Sequence, residues 1–91
     1  MRESPQIPMT PTLENLLFKD HGIALDPATG ETYRLTGPAP QLLRLLKQGA
    51  DEEGLLRFLL DEYEVDEATA RRDLDVFLAT LERMKWLKGS P

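Results

Sequence analysis

The chain has no cysteine. That absence removes disulfides, thiolate catalysis, iron–sulfur ligation and cysteine-based zinc sites together. It also fits a reducing compartment. Histidine is nearly as scarce: His21 stands alone beside a turn glycine, with nothing nearby in sequence to pair with it. An isolated loop histidine is ordinarily a solvated residue rather than a base or a ligand. Ser4 and Ser90 lie near the chain ends, which argues against a serine nucleophile with an attendant base. The glycines are scattered among turns, so no phosphate-cradling loop is built. These shortages predict that the chain is not an enzyme by itself.

Long apolar runs are missing too. None approaches the roughly 20 residues that cross a bilayer. The stretch MRESPQIPMTPT has no apolar signal core and carries Glu3, so neither a secretory signal nor a membrane partner is expected, and a cytoplasmic address is. Positive charge is the minority, with 11 basic residues against 16 acidic and a net charge of −5. Duplex DNA binding draws largely on phosphate neutralisation, so nucleic acid is a poor partner for such a chain. Basic or apolar partners suit it better.

What is present fits one small domain. Ninety-one residues with 41% hydrophobic side chains can build a real but thin core. Residues 1–12 hold Pro5, Pro8 and Pro11, each lacking an amide donor and restraining its predecessor, and are expected to form a flexible or extended tail. The folded domain is expected over residues 13–88. In LENLLFK, from Leu13 to Lys19, Leu16 and Phe18 alternate with Leu17 and Lys19, which suits a short strand. Asp20-His21-Gly22 marks a turn, and Ile23-Ala24-Leu25 resumes as strand. Asp26-Pro27-Ala28-Thr29-Gly30 marks a second turn. Glu31 to Leu35 then alternates, with Tyr33 and Leu35 on one face and Thr32 and Arg34 on the other. The reading is a three-stranded antiparallel ribbon.

Three helices should follow. Thr36 or Gly37 can cap the first, whose leucines at 42, 43, 45 and 46 form an apolar band that Gly49 ends. Asp51 caps the second, which runs to Tyr63. Asp66 caps the third and longest, with Ala70, Leu74, Phe77, Leu78, Leu81 and Met84 as its inner stripe. The acidic groups Asp51-Glu52-Glu53 and Asp61-Glu62-Glu64 could hold a hard cation loosely, but caps and a solvated face explain them better. The fold class is therefore α+β and winged-helix-like. Winged helices often bind DNA through the third helix. Here Arg71, Arg72 and Arg83 are largely cancelled by Glu67, Asp73, Asp75 and Glu82.

Two stretches resemble a known family. GIALDPATGETYRLTGPAPQLLRLLKQG looks like the strand, turn, strand and leucine-rich helix ending in glycine of PqqD-like proteins. YEVDEATARRDLDVFLATLERMKWL resembles their second signature through Tyr63, Val65, Asp66, Asp73, Phe77, Leu78, Leu81 and Leu87. The similarity spans about residues 14–88. The chain departs from the pattern at Leu35-Thr36, where Leu-Asn is common, and at Lys85-Trp86, where a glycine is. The resemblance implies a recognition element for ribosomally made, modified peptides. Such a domain holds the precursor's leader as a strand added to the ribbon and presents it to a modifying enzyme, often of the radical S-adenosylmethionine type. No cofactor of its own is implied.

For that role the edge candidates are Glu31, Thr32, Tyr33, Arg34, Leu35 and Thr36. The helix wall would use Arg72, Val76 and Ala79, with Arg71, Asp75 and Arg83 at the rim. Tyr33 and Leu35 also suit ribbon-to-helix core, and Arg71 could pair with Asp75 along its helix. Val76 discriminates: exposed beside the ribbon it is a groove floor, buried it is core. Trp86 suits a hydrophobic lid better than an interface anchor. A free strand edge also invites pairing with a second copy as a homodimer, so the rivals to peptide binding are a winged-helix DNA-binding protein and a self-associating regulator.

Overall fold

The computed structural model describes residues 7–88. Of the expected tail, residues 1–6 lie outside the described residues, and residues 7–12 are placed against the body of the protein. Met9 bridges Leu87 in antiparallel fashion. Thr10 N–H donates to Trp86 O at 3.0 Å and Lys88 N–H donates to Pro8 O at 3.1 Å. Ile7 and Met9 pack on the core. Proline's missing donor does not prevent this, because Pro8 takes part through its carbonyl. A short helix, α1 (Pro11–Asn15), follows and places Leu13 fully out of solvent.

Three short strands come next: β1 (Leu17–Lys19), β2 (Ile23–Leu25) and β3 (Thr32–Arg34). They pair antiparallel in the order β1-β2-β3, so β1 and β3 are both sheet edges. Phe18 lies opposite Ala24, and Ala24 opposite Tyr33, which puts these three on the core side. A tight turn links β1 to β2. There Gly22 holds φ +73°, and a Cβ on it would meet Leu35 O at 2.6 Å. Glycine is required at that approach. The β2–β3 turn is held by Asp26, whose carboxylate accepts from Ala28 N–H at 3.0 Å.

The three expected helices are α2 (Ala39–Lys47), α3 (Glu52–Glu62) and α4 (Glu67–Arg83). Asp51 and Asp66 cap α3 and α4, accepting from Gly54 N–H at 2.9 Å and Thr69 N–H at 2.8 Å. No side chain caps α2, and neither Thr36 nor Gly37 is its cap residue; Pro38 is. The physical reason lies in Pro38 and Pro40, which bring no N–H to the first turn and leave less for a cap to satisfy. Gly49, at φ +97°, ends α2 as expected. Along α4, Ala70, Leu74 and Leu81 are buried and Phe77 and Leu78 half-buried, while Met84 closes the helix exposed. Trp86 is 1% exposed and sits beyond the helix end, in the core rather than over it. Its ring meets Tyr33 edge-on at 5.0 Å, tying the ribbon to the last helix.

Candidate functional site

Backbone pairing decides what the β3 edge can offer. Leu35 N–H donates to Gly22 O and Asp26 N–H donates to Glu31 O. With Ala24 opposite Tyr33, the residues that spend their main-chain groups on β2 are Glu31, Tyr33 and Leu35. By alternation, Thr32 and Arg34 turn their N–H and C=O outward. Among the described residues, no strand pairs with that side, and no hydrogen bond or ion pair involves the side chain of Thr32 or Arg34. The outer edge of β3 is thus a short row of main-chain donors and acceptors.

That edge runs into a groove. About 410 Å³ of open space lies between the residues after β3, the start of α2, the end of α3 and one side of α4. Thr36 and Pro38 line it from the residues between β3 and α2, Val76 and Phe77 from α4, and Tyr63 and Val65 from the break between α3 and α4. The lining is mostly apolar, with Asp73 as its one carboxylate. Val76 is 61% exposed, Tyr63 39% and Val65 37%, so three of the five large apolar side chains left exposed among the described residues share this one hollow. An apolar patch gathered in a concavity marks a binding surface more than scattered exposure does.

The sequence candidates divide accordingly. Thr36 and Val76, forty residues apart in sequence, are brought to the same groove. Tyr33 and Leu35 are half-buried and pack on the core, so their side chains brace the ribbon while their neighbours carry its edge. Glu31 is exposed and accepts from the Tyr33 hydroxyl at 3.4 Å. Partial burial first, then the charges of Glu31 and Asp26, raise the Tyr33 phenol above its ordinary pKa. On α4, Arg71 is held by Glu67 at 2.9 Å and Glu53 at 3.6 Å, not by Asp75. The hydrogen bond to Glu67 is the main reason its guanidinium pKa is raised. Arg72, Asp75, Ala79 and Arg83 are exposed on α4 but do not line the groove. Tyr63, Val65 and Asp73 line it without having been singled out for it. The available signal was an apolar pair flanking a helix break, with no core periodicity to absorb it.

Among the described residues, no three or more carboxylates and histidines gather where they could hold a metal ion. No described helix is long and apolar enough to cross a membrane. His21 is exposed in a left-handed turn at φ +65°.

A three-stranded antiparallel sheet followed by three helices that border an apolar groove defines an α+β, winged-helix-like domain. The family model described as Coenzyme PQQ synthesis protein D (PqqD) matches residues 22–87, and the chain belongs to that family. A solved structure described as "Lasso peptide synthetase B1 complexed with the leader peptide" superposes with a TM-score of 0.75 at 24% identity. The match covers 93% of this chain and 100% of that one. No curated protein matches the sequence.

Proposed function

We propose that this protein holds the leader of a ribosomally made precursor peptide and presents it to a modifying enzyme, itself performing no catalysis. The leader would add as a fourth strand on the outer edge of β3 and set an apolar side chain in the adjoining groove. One observation carries the reading: the unpaired main-chain row of Thr32 and Arg34 leads directly to a hollow with Val76 exposed in it. Family membership and the fold shared with a leader-bound lasso synthetase component support it. Within this reading, Glu31 to Thr36 form the edge, Val76 the floor, and Arg71, Arg72, Asp75, Ala79 and Arg83 the flank of α4 along which the peptide runs. A radical S-adenosylmethionine enzyme is the proposed partner type.

The energetics need both parts of the site. Each main-chain hydrogen bond nets about 0.5–1.5 kcal/mol. Ordering each leader residue costs about 1–2 kcal/mol, so pairing alone comes close to zero. Burying a large apolar side chain adds about 1.5–3 kcal/mol. Two or three such anchors bring the total towards about −8 kcal/mol, or roughly micromolar affinity. The groove supplies the term that the edge cannot.

Amide chemical shifts of the labelled protein test this during titration with the leader of any short precursor encoded beside its gene. Shifts centred on residues 31–36 and on α4 around Val76 are expected. Unmoved amides there at millimolar leader would overturn the reading. Val76→Asp should abolish the shifts while leaving stability within about 0.5 kcal/mol, as for other surface changes. Nothing in the geometry favours DNA: Arg71 is already paired with Glu53 and Glu67. Self-pairing of β3 would instead show as a concentration-dependent dimer that the leader dissolves.

A further inference from the structure

The sheet has a second face that the peptide-binding role leaves unused. Phe18, Ala24 and Tyr33 point to the core, so the opposite face carries the cross-strand rows Leu17–Leu25–Thr32 and Lys19–Ile23–Arg34. Leu17 is 47% exposed, and Ile23 and Leu25 are half-buried. None of the three belongs to the core or to the half-buried side chains packed on it. They form an apolar cluster on this face, with Leu17 its most exposed member. Lys19 and Arg34 stand at the two ends of one row, exposed and in no ion pair among the described residues. No strand residue is acidic, although the chain has 16 acidic residues against 11 basic.

We propose that this outer face docks the modifying enzyme, which meets it with apolar side chains ringed by carboxylates. The proposal rests on the peptide-presenting role for the existence of such an enzyme. Charge selects the occupant. Two copies meeting face to face about a two-fold axis would set the Lys19 and Arg34 rows against each other, and like charges so opposed are repulsive. A copy using an acidic surface elsewhere would make a head-to-tail contact, which builds rings or open filaments rather than a simple dimer. An enzyme with a complementary patch has neither problem, and attraction between the patches speeds its approach. A leader strand beside β3 would extend the same face, so an enzyme seated there reaches the substrate it must modify.

The test uses the full chain and any purified peptide-modifying enzyme encoded beside its gene. Leu17→Asp/Lys19→Glu changes β1, two strands from the leader edge. It should weaken binding to the enzyme by about tenfold or more, because an apolar centre and a charge are both lost. Leader affinity should stay within about twofold, since Leu17 and Lys19 lie on β1, across the sheet from the β3 edge. Lys19→Glu alone, a surface change that keeps the apolar centre, is the second variant should the double one misfold. It should weaken enzyme binding and flatten its salt dependence. Wild-type enzyme affinity in the folded variants would overturn the proposal. So would a dimer, seen by light scattering, that Leu17→Asp converts to monomer. If the wild-type chain binds the enzyme but no leader, the presenting role fails while the docking face stands.

Discussion

Gly22 and Gly30 both hold positive φ, at +73° and +79°, yet their surroundings differ. A Cβ at Gly30 would meet nothing within 4 Å, whereas one at Gly22 would fall 2.6 Å from Leu35 O. Alanine at Gly30 should therefore cost only the left-handed conformation, about 1–2 kcal/mol. At Gly22 it must also push β3 away from the turn, and Leu35 N–H then loses its acceptor. Urea unfolding should show Gly22→Ala as the more damaging change, with the peptide edge displaced as well. Asp66 works through charge rather than shape. Thr69 donates to its carboxylate, and with a lesser pull from Arg72 this lowers its pKa below the ordinary carboxylate value. A depressed folded pKa stabilises above the unfolded value of about 4 and loses that contribution as pH falls through the folded one. Asp66→Asn keeps an acceptor for the cap but has no proton to bind. Its unfolding midpoint should fall less steeply than wild type between pH 5 and pH 2, by circular dichroism.

At the scale of the element, the alternation of β3 separates two roles within three residues. Arg34→Pro removes an outward N–H that no described group uses, and edge strands tolerate proline. Tyr33→Pro removes one directed at β2 and the ring that meets Trp86. Arg34→Pro should keep the fold and weaken leader binding, whereas Tyr33→Pro should unfold the ribbon; calorimetric titration beside thermal melts tells them apart. Asp51→Ala should cost about 1 kcal/mol through loss of the Gly54 cap. These devices were legible because each is local: Asp-Pro with a following glycine makes a turn, and Asp before a helix makes a cap. The helix α1 was not legible, since five residues cannot hold a helix without the burial of Leu13 that tertiary packing provides. The groove was legible only in part. Thr36 and Val76 could be named from opposite ends of the pattern. That Tyr63 and Val65 would join them depends on how α3 meets α4, which periodicity does not encode.

Across the whole molecule, the beginning and end of the described chain hold each other. Residues 8–10 run beside residues 85–88, with Thr10 Oγ1 donating to Lys85 O at 2.7 Å besides the two main-chain hydrogen bonds. The seam lies against Trp86, which in turn abuts Tyr33 of β3. The N-terminal segment is thereby connected, through one buried indole, to the strand that carries the peptide edge. Removing residues 1–9 would strip Ile7 and Met9 from the core and leave Lys88 N–H without Pro8 O. Two half-buried apolar side chains contribute about 1 kcal/mol each. The hydrogen bond adds about 1 kcal/mol, while ordering residues 7–9 costs about 1–2 kcal/mol per residue. Because the segment is placed on the core, its contacts offset that cost, and the truncated protein should unfold at lower urea than the full chain. A loose tail would predict no change at all, so the urea midpoint decides between them. Indole fluorescence should report the loss before global unfolding, because the truncation opens one side of Trp86 to water.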